Sequence, residues 1–464
     1  MLRSLELTNF KTFRNASVKV SPLTLVLGSN GVGKSNLFDA FRFLKSVGDG
    51  QSIRDAIEGH ATSSPTAPTV PGIRGGASGI PSFGSDSSEF ELKVSITADG
   101  DDIAYAVRVD ASTYRVVAEE LRSRRHPGSY VFSTHPDTGP LEQRIDSPAI
   151  VARFHKETPG LNPRREFSPY EFILSQFRQR RAESRVNEAV AEAVRAELAS
   201  IRPLELRPEV LRQYSPLGRS ELGEHGENFA AVAWQLLREV ETGHARLVYL
   251  KRRREQRERQ LALSLTNDRA QRADENWEPE LYNEEELAEP GDRLNAIKAW
   301  LSELTPRRIE DITVEQAPTG EVIFALTEEG HEKPITARSL SDGTLRFAAL
   351  VFAALGVRGR QTLVIEEIEN GINPARLAIL IKMLEQTVDS FDNLQVIAST
   401  HSPGLLDFAS KSTTAASIII GWDAQNKCSY PLRLSDIPRL SEAVKETTLG
   451  ALQAEGWLQF AANR

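Results

Sequence analysis

The sequence predicts an α/β fold in which a parallel sheet is combined with an antiparallel β-meander and a helical insertion. In the last third of the chain, short apolar strands alternate with helical segments, and this alternation is typical of a parallel sheet. In the first third, several strands follow one another with only turns between them, which indicates an antiparallel meander. The middle of the chain is highly charged and has helical periodicity, so we expect it to be an insertion.

The chain has 464 residues, and a guide of about 150 residues per domain suggests two or three units. We expect residues 1–178 to form the N-terminal part of a sheet-based head and residues 306–464 to form its C-terminal part. Residues 179–305 are expected to form the charged helical insertion. The composition, with 40% hydrophobic and 26% charged residues, excludes collagen-like, disulfide-scaffold and wholly disordered chains.

Charge and cysteine content narrow the function classes. The net charge of −8 excludes a uniformly basic surface for nucleic acid, although a local basic patch stays open. Cys428 is the only cysteine, so neither an intrachain disulfide nor a cysteine-based zinc site is expected. The first residues contain no apolar signal core, and no stretch reaches the ~20 apolar residues that span a bilayer. We therefore expect a cytoplasmic protein without a membrane partner.

The elements are predicted in chain order from the spacing of apolar residues. The first region should contain β-prone runs at 2–8 and 17–27, with a buried strand at 23–27, a helix at 34–44, a surface loop at 60–88, and strands at 90–96, 104–109 and 114–119. The insertion should contain an exposed helix at 180–200, helices at 229–240 and 248–265, an acidic run at 274–289 ended by Pro290, and a helix at 294–304. The last region should contain strands at 322–326, 362–365, 394–398 and 416–420, with helices at 344–357, 374–388 and 441–452.

A glycine-rich segment follows the predicted strand at 23–27 and precedes the predicted helix. It reads Gly28-Ser29-Asn30-Gly31-Val32-Gly33-Lys34-Ser35 and matches G-x-x-x-x-G-K-[ST] in full. Glycines leave backbone N–H groups free to surround phosphate oxygens, and the helix points the positive end of its dipole at the same phosphates. Lys34 is expected to bind the β- and γ-phosphates, and Ser35 is expected to bind Mg²⁺.

Two acids stand at the end of the predicted strand at 362–365. Glu366 and Glu367 would lie at the carboxyl edge of the sheet, where ligands bind in open α/β folds. Glu366 is expected to hold Mg²⁺ through water, and Glu367 is expected to polarise the attacking water. The alternative is an acidic turn after a core strand, and the phosphate loop elsewhere in the chain favours the functional interpretation.

Two further motifs gain meaning from their order in the chain. Ser341 precedes an amphipathic helix and is expected to cap it, so that Ser341, Asp342 and Gly343 could meet a γ-phosphate. His401 follows the predicted strand at 394–398 and should lie at the same sheet edge as Glu367, where a neutral imidazole could hydrogen-bond a γ-phosphate oxygen. An ordinary helix start and an ordinary histidine are the alternatives.

Taken in order, these motifs resemble those of ABC-type P-loop ATPases. The segments that look like the RecF/SMC/OLD group, and closest to its stand-alone AAA-type members, are Asn9-Phe10-Lys11, Gly31–Asn36, Leu340–Arg346, Glu366–Gly371 and Ser399–Pro403. The resemblance covers residues 1–50 and 335–410 with specific motifs. It implies an ABC-ATPase head with ATP as substrate and Mg²⁺ as cofactor, and it adds Asn36 to the nucleotide-binding residues.

The resemblance also implies two ATP sites in a head-to-tail dimer, with Ser341 and Gly343 of one chain closing over Lys34 of the other. Gln176 is our candidate for a glutamine that reaches Mg²⁺, and Arg74 resembles an arginine that some SMC relatives place near the nucleotide. Glu366 departs from the family pattern, in which aspartate is commoner, and this departure puts the geometry of Mg²⁺ and the rate of turnover in question. We expect neither an SMC-length coiled coil nor, after the last motif, an OLD-type TOPRIM nuclease.

We expect an ATPase that acts as a dimeric switch in prokaryotic genome defence or DNA maintenance. Its partners would be a second copy, as a homodimer or higher oligomer, and a separately encoded, nuclease-like effector. A nucleotide-gated scaffold or sensor with little hydrolysis stays open because of Glu366, and a transporter's nucleotide-binding subunit is a third hypothesis that the long insertion disfavours. The basic run Arg252–Arg259, which glutamates interrupt, leaves DNA open as a partner.

Overall fold

The structure is a computed structural model, and it describes residues 1–60, 70–125, 130–135, 149–156, 161–177, 185–218, 221–246, 284–356 and 359–463. The predicted helix at 248–265, its basic run Arg252–Arg259, and the acidic run up to residue 283 lie outside the described residues. None of the helices in the described ranges combines the length and the apolar character that a membrane span requires.

The strands, in chain order, are β1 (Leu2–Phe10), β2 (Phe13–Lys19), β3 (Leu23–Leu27), β4 (Gly59–His60), β5 (Val70–Pro71), β6 (Glu89–Ala98), β7 (Asp101–Asp110), β8 (Arg115–Ser123), β9 (Phe132–Ser133), β10 (Ile150–Phe154), β11 (Arg164–Phe167), β12 (Ile201–Leu204), β13 (Ile309–Gln316), β14 (Val322–Glu328), β15 (Ile335–Thr336), β16 (Gln361–Ile365), β17 (Leu394–Ser399), β18 (Ile418–Asp423) and β19 (Cys428–Arg433).

The helices, in chain order, are α1 (Lys34–Asp49), α2 (Ile53–Glu58), α3 (Ile173–Gln176), α4 (Arg185–Ala199), α5 (Pro208–Leu211), α6 (residues 229–246), α7 (Glu284–Leu304), α8 (Asp342–Leu355), α9 (Leu377–Ser390), α10 (Pro403–Phe408), α11 (Lys411–Ala416), α12 (Leu440–Ala443), α13 (Leu449–Ala454) and α14 (Trp457–Ala462).

The chain divides into two compact units, and the first contains a mostly parallel sheet. This unit comprises Met1–Glu205 and Gly359–Arg464, and the second comprises Leu206–Arg358. The parallel sheet has the order β12-β16-β17-β3-β18-β19, in which β19 pairs antiparallel with β18. Strands β3, β16 and β17 are buried along their whole lengths, which is why their sequences are mostly apolar, and polar residues within them, such as Thr24 and Gln395, are buried as well. Because these three strands run parallel, their carboxyl ends lie at the same edge of the sheet.

The first unit also contains an eight-stranded sheet with the order β11-β10-β9-β8-β7-β6-β1-β2. Along β6 the burial alternates residue by residue, because one face of the sheet packs on the core and the other does not. The core joins this inner face to α1 and α4, and the ring of Phe43 on α1 lies 5.2 Å from Phe90 and 5.7 Å from Phe172. The predicted α/β class, with a parallel sheet and an antiparallel meander, is confirmed.

The described residues of the second unit form α5 to α8 and a three-stranded antiparallel sheet, β13-β14-β15. Helix α8 packs against α5 and α7. The rings of Phe229, Phe324 and Phe352 form one aromatic cluster, with centroid distances of 4.5 to 5.8 Å. This unit therefore has a hydrophobic core of its own, and α8, which carries the predicted cap Ser341 at its start, is anchored in that core.

Several details differ from the sequence-based predictions. The units divide at residues 205/206 and 358/359 rather than at 178/179 and 305/306, because α4 packs on α1 in the first unit and residues 306–355 belong to the second. The helix predicted as exposed, α4, has Val194 and Leu198 fully buried. Helix α7 continues through Pro290, where the proline removes one backbone donor without stopping the helix.

The surface loop predicted for residues 60–88 is wrong over part of its length. Ile73 and Ile80 belong to the hydrophobic core, with exposures of 4% and 0%. The N–H of Ile73 donates to the carbonyl of Ile57 at 2.9 Å, which ties the segment to α2. Serine, proline and glycine dominate the composition of this segment, so the sequence pattern does not reveal that the two isolated residues Ile73 and Ile80 are buried. Residues 70–88 are therefore tied to the core, and they bring Arg74 to the end of β16.

Candidate functional site

The phosphate loop connects β3 to α1 at the carboxyl edge of the parallel sheet. Gly33 has φ of +106°, and a Cβ at this position would lie 2.4 Å from Thr12 Oγ1. Gly28 has φ of +141°, and a Cβ there would lie 2.8 Å from Val32 Cγ2. Backbone conformation and lack of space therefore both require glycine at these two positions. Thr12 Oγ1 also accepts a hydrogen bond from Asn36 Nδ2 at 3.0 Å, so Asn36 links α1 to the turn between β1 and β2.

Two polar side chains from the C-terminal part of the chain support the loop. Ser429 Oγ on β19 donates to the carbonyl of Val32 at 2.5 Å. Gln459 Oε1 on α14 accepts a hydrogen bond from the N–H of Ser29 at 2.8 Å. Gly31 and its two neighbours before it are exposed. The loop is thus held from one side, and its other side is accessible to a phosphate.

Lys34 is the first residue of α1, and its side chain folds back over the loop. Its Nζ donates to the carbonyls of Gly28 at 2.5 Å and Ser29 at 2.9 Å. Burial lowers the pKa of Lys34 to about 8, although the negative charges of Glu367 and Glu369 act in the opposite direction and raise this pKa. The lysine therefore lies beside the acids that follow β16, at the position from which a P-loop lysine binds phosphate.

The two predicted magnesium ligands meet at the end of β16. Ser35 Oγ donates to Glu366 Oε2 at 3.1 Å. The N–H of Glu366 donates to the carbonyl of Leu204 at 3.0 Å, which fixes the acid at the sheet edge. A hydroxyl and a carboxylate are oxygen donors of the kind that Mg²⁺ prefers. The pair fits the metal that the resemblance implies, and its role as a ligand set stays a prediction.

Arg74 joins this pair to a buried carboxylate on α1. Its Nη1 donates to Glu366 Oε2 at 3.2 Å, and its Nη2 donates to Glu366 Oε1 and, at 3.3 Å, to the carbonyl of Ser35. Its Nε donates to Oδ1 of the fully buried Asp39 at 3.0 Å, and Lys11 Nζ donates to Oδ2 of the same aspartate at 2.5 Å. Burial would lower the pKa of Arg74, but the hydrogen bonds and charges of the two acids outweigh it and raise that pKa.

Glu367 and His401 lie at the same sheet edge, as the order of the motifs predicts. Glu367 has φ of +48°, and its N–H donates to Ser399 Oγ at the end of β17 at 2.9 Å. His401 Nε2 lies 3.9 Å from Glu367 Oε1, so the two side chains are neighbours without a direct hydrogen bond. The N–H of His401 donates to Glu369 Oε1 at 2.6 Å, which ties the two segments together.

In the second unit, Ser341 caps α8 as the sequence predicts. Its Oγ accepts a hydrogen bond from the N–H of Thr344 at 3.1 Å. Arg212 contacts the residues on both sides of the cap: it donates to the carbonyl of Leu340 at 2.8 Å, and its guanidinium lies 2.6 Å from Asp342 Oδ1. The arginine therefore braces the exposed start of α8, and its charge offsets that of Asp342.

Gln176 is buried, and its carboxamide is occupied by the loop that precedes α3. Its Oε1 accepts from the N–H of Ser168 at 2.9 Å, and its Nε2 donates to the carbonyls of Ser168 at 2.9 Å and Glu171 at 3.0 Å. These contacts make Gln176 a support for that loop. The geometry gives no support to its predicted role at Mg²⁺.

Sequence reasoning missed several residues that support the site, among them Asp39, Ser429 and Gln459. Asp39 is buried on α1 together with its partner Arg42, and two opposite charges one helical turn apart among apolar residues are a signal that could have identified it. Gln459 is separated from Ser29 by 430 positions, and no local pattern indicates such a contact.

Among the solved structures that are similar to this chain are three SMC head domains. The Smc head bound to the C-winged helix domain of ScpA is 13% identical, with a TM-score of 0.47, and the alignment covers 95% of this chain and 99% of that chain. The Smc head domain with an extended coiled coil, bound to the C-terminal domain of ScpA derived from Pyrococcus furiosus, is 14% identical at a TM-score of 0.41 and coverages of 96% and 99%. The SMC head domain from Thermotoga maritima is 13% identical at a TM-score of 0.37 and coverages of 93% and 98%. Because these TM-scores lie below 0.5, the assignment does not rest on them.

The family assignment rests on a match that covers most of the chain. Residues 23–407 match the family described as "AAA domain, putative AbiEii toxin, Type IV TA system". Among curated proteins, none matches this chain. The matched range contains the phosphate loop, Ser341, the acids after β16 and His401. The chain therefore belongs to this AAA-domain family of P-loop ATPases, which confirms the resemblance drawn from its motifs.

Proposed function

We propose that the chain binds ATP with Mg²⁺ at the phosphate loop and hydrolyses it to ADP and phosphate. The observation that carries this proposal is the convergence of Lys34, the Ser35–Glu366 pair and Glu367 at one sheet edge. Lys34 would neutralise the β- and γ-phosphates. Ser35 and Glu366 would hold the magnesium ion, which supplies charge neutralisation for the leaving phosphate when it is bound.

Glu367 is the group best placed to act as general base. Its side chain is 54% exposed, so water reaches its carboxylate. The hydrogen bond from its N–H to Ser399 Oγ holds the left-handed turn that carries this carboxylate. The neighbouring His401 would hydrogen-bond a γ-phosphate oxygen and thereby sense the presence of that phosphate.

The test is ATP binding by calorimetry and phosphate release for Lys34→Ala. Loss of the lysine charge should abolish detectable binding, because the β- and γ-phosphates lose their main cation. Lys45→Ala is the matched control: Lys45 lies on the same helix, is paired with Asp49 at 2.9 Å, and is remote from the loop in sequence. Unchanged ATP affinity in Lys34→Ala would refute the assignment of the phosphate loop.

We further propose that ATP joins two chains head to tail, with Ser341, Asp342 and Gly343 of one chain contacting the nucleotide held by the other. The resemblance supports this arrangement, and so does the exposure of Ser341 and Asp342 at the start of α8, where helix N–H groups favour an anion. The ion pair with Arg212 supports it as well, because it offsets the negative charge of Asp342, which would otherwise repel phosphate.

The biological role that we propose is a switch in prokaryotic genome defence or DNA maintenance, working with a separately encoded effector. The family description names a toxin and a type IV toxin–antitoxin system, and such a system is compatible with this role. The neighbouring genes provide the first test. A nuclease gene beside this one supports the proposal, whereas a gene for a membrane transporter subunit supports the transporter hypothesis.

A nucleotide-gated sensor with little hydrolysis is the second candidate function. The observation that favours it is the engagement of Glu366 by Arg74, because a metal-binding acid that is held by a cation slows the assembly of the catalytic site. Turnover and affinity separate the two candidates. Micromolar binding with less than about one turnover per hour would indicate a sensor, since enzymes typically turn over at 1 s⁻¹ or faster.

A further inference from the structure

The magnesium ligands that we propose are already bridged by a cation of the protein. The carboxylate of Glu366 accepts hydrogen bonds on both oxygens from Arg74, and its Oε2 also accepts from Ser35 Oγ. The same guanidinium donates to the carbonyl of Ser35. The guanidinium of Arg74 therefore contacts both of the residues that would hold Mg²⁺.

Arg74 is held in this position from several sides. Its Nε is bonded to the buried Asp39, and its own carbonyl accepts a hydrogen bond from Lys11 Nζ at 2.7 Å. The preceding Ile73 is buried, and the backbone at Gly72 packs so closely on α2 and β4 that a Cβ there would lie 2.3 Å from the Gly59 nitrogen. The arginine is thus held by several contacts, although its side chain is 43% exposed.

A guanidinium and a divalent cation compete for one carboxylate because both require its negative charge and its lone pairs. Mutual repulsion between a single and a double positive charge a few ångströms apart adds to the competition.

We infer that Arg74 is the resident counter-ion of the magnesium site and that it must leave Glu366 before the metal binds. The inference rests on the proposed function, because it takes Ser35 and Glu366 as the metal ligands. Its consequence is an order of events: the metal enters together with the nucleotide phosphates, whose negative charge offsets the repulsion from Arg74, and it does not enter ahead of them.

The test is Mn²⁺ binding in the absence of nucleotide, measured from the loss of the free-ion electron paramagnetic resonance signal. Arg74→Gln should bind one Mn²⁺ at least about tenfold more tightly than the wild type, because the competing charge has been removed. Arg14→Gln is the matched control, since Arg14 donates to the carbonyl of Phe83 and does not contact Glu366. Equal Mn²⁺ affinity in wild type, Arg14→Gln and Arg74→Gln would overturn the inference.

A second substitution shows where the gained metal binds. Adding Ser35→Ala to Arg74→Gln should weaken the gained Mn²⁺ binding, whereas unchanged binding would place the metal elsewhere and overturn the inference. If Arg74→Gln does not fold by circular dichroism, Arg74→Lys replaces it, and this variant should bind Mn²⁺ at least about threefold more tightly than the wild type because a lysine cannot bridge both carboxylates. Calorimetry with ATP distinguishes a failure of the proposed function from a failure of this inference. If the wild type binds no ATP, the proposed function is refuted, whereas the comparison of Mn²⁺ binding without nucleotide decides the role of Arg74.

Discussion

Lys34 connects nucleotide binding to pH. Its pKa of about 8 lies below the ordinary value for lysine, because burial disfavours the charged form. Phosphates stabilise the charged form, so binding at a pH above 8 requires the uptake of a proton. The affinity for ATP should therefore be constant below about pH 7.5 and should fall by up to about tenfold per pH unit above about pH 8.5.

Calorimetry checks this dependence directly. At pH 8.5, the observed heat of ATP binding should vary with the ionisation enthalpy of the buffer, since each binding event takes up a fraction of a proton. At pH 7 the same comparison should show almost no proton uptake by Lys34. An ATP affinity that stays constant from pH 7 to pH 9.5 would contradict the assignment of Lys34 as the phosphate-binding cation.

Glu367 and Glu366 are adjacent, yet they should respond differently to substitution. Glu367→Gln should keep ATP bound but lower turnover at least ~100-fold, because a carboxamide cannot accept a proton from water. Glu366→Gln should also lower turnover, but it should raise the concentration of Mg²⁺ needed for half-maximal nucleotide binding. Titrations of Mg²⁺ against a fluorescent ATP analogue would distinguish the two, and normal hydrolysis by Glu367→Gln would show that another group is the base.

At the scale of elements, the start of α8 is braced by the segment that follows α5. Arg212 contacts Leu340 and Asp342 on either side of the cap, with its side chain 29% exposed and the Asp342 side chain 60% exposed. Arg212→Met should leave the affinity for ATP unchanged but weaken ATP-dependent association of two chains about fivefold. Solvent screening limits the effect to about 1 kcal/mol, which corresponds to that factor.

A neighbouring arginine provides the control for this prediction. Arg338 stacks over the ring of Tyr214 at 5.1 Å and does not contact the cap residues, so Arg338→Met should associate like the wild type. Sedimentation velocity in ATP and Mg²⁺ measures both variants. Equal association of Arg212→Met and wild type would show that the brace does not position Ser341 for the partner chain.

The sequence was sufficient to predict the elements that depend on local pattern. The predicted strand at 23–27 is β3, the glycines that follow it adopt the positive φ that the loop needs, and Ser341 is the cap of α8. The failures depend on distant partners. Helix α4 is half apolar, and its buried stripe has meaning only once α1 lies against it. Arg74 is predicted near the nucleotide from the resemblance alone, because Arg-Gly-Gly is also typical of a flexible loop and its partners Asp39 and Glu366 lie far away in the sequence.

For the whole molecule, the residues of the site fall into two sets that belong to different compact units. The phosphate loop and the acids belong to the first, and Ser341, Asp342 and Gly343 belong to the second. If Ser341, Asp342 and Gly343 act on the nucleotide of another chain, the two variants lose activity for different reasons. Lys34→Ala cannot bind ATP, whereas Ser341→Arg cannot contact the ATP of its partner. A mixture of the two should regain part of the wild-type ATPase rate, because one interface of the mixed dimer pairs an intact loop with an intact cap. If the mixture is shown to contain mixed dimers and still regains no ATPase activity, this result would contradict the claim that one site can turn over without the other.

The most direct test of the central claim, that ATP at the phosphate loop joins two chains, is molar mass by light scattering. Glu367→Gln should have the 51.4 kDa mass of one chain without nucleotide and twice that mass with ATP and Mg²⁺, because bound ATP persists in this variant. Lys34→Ala should keep the mass of one chain under both conditions. A wild-type protein that hydrolyses ATP at its full rate while its mass stays at that of one chain would contradict the claim.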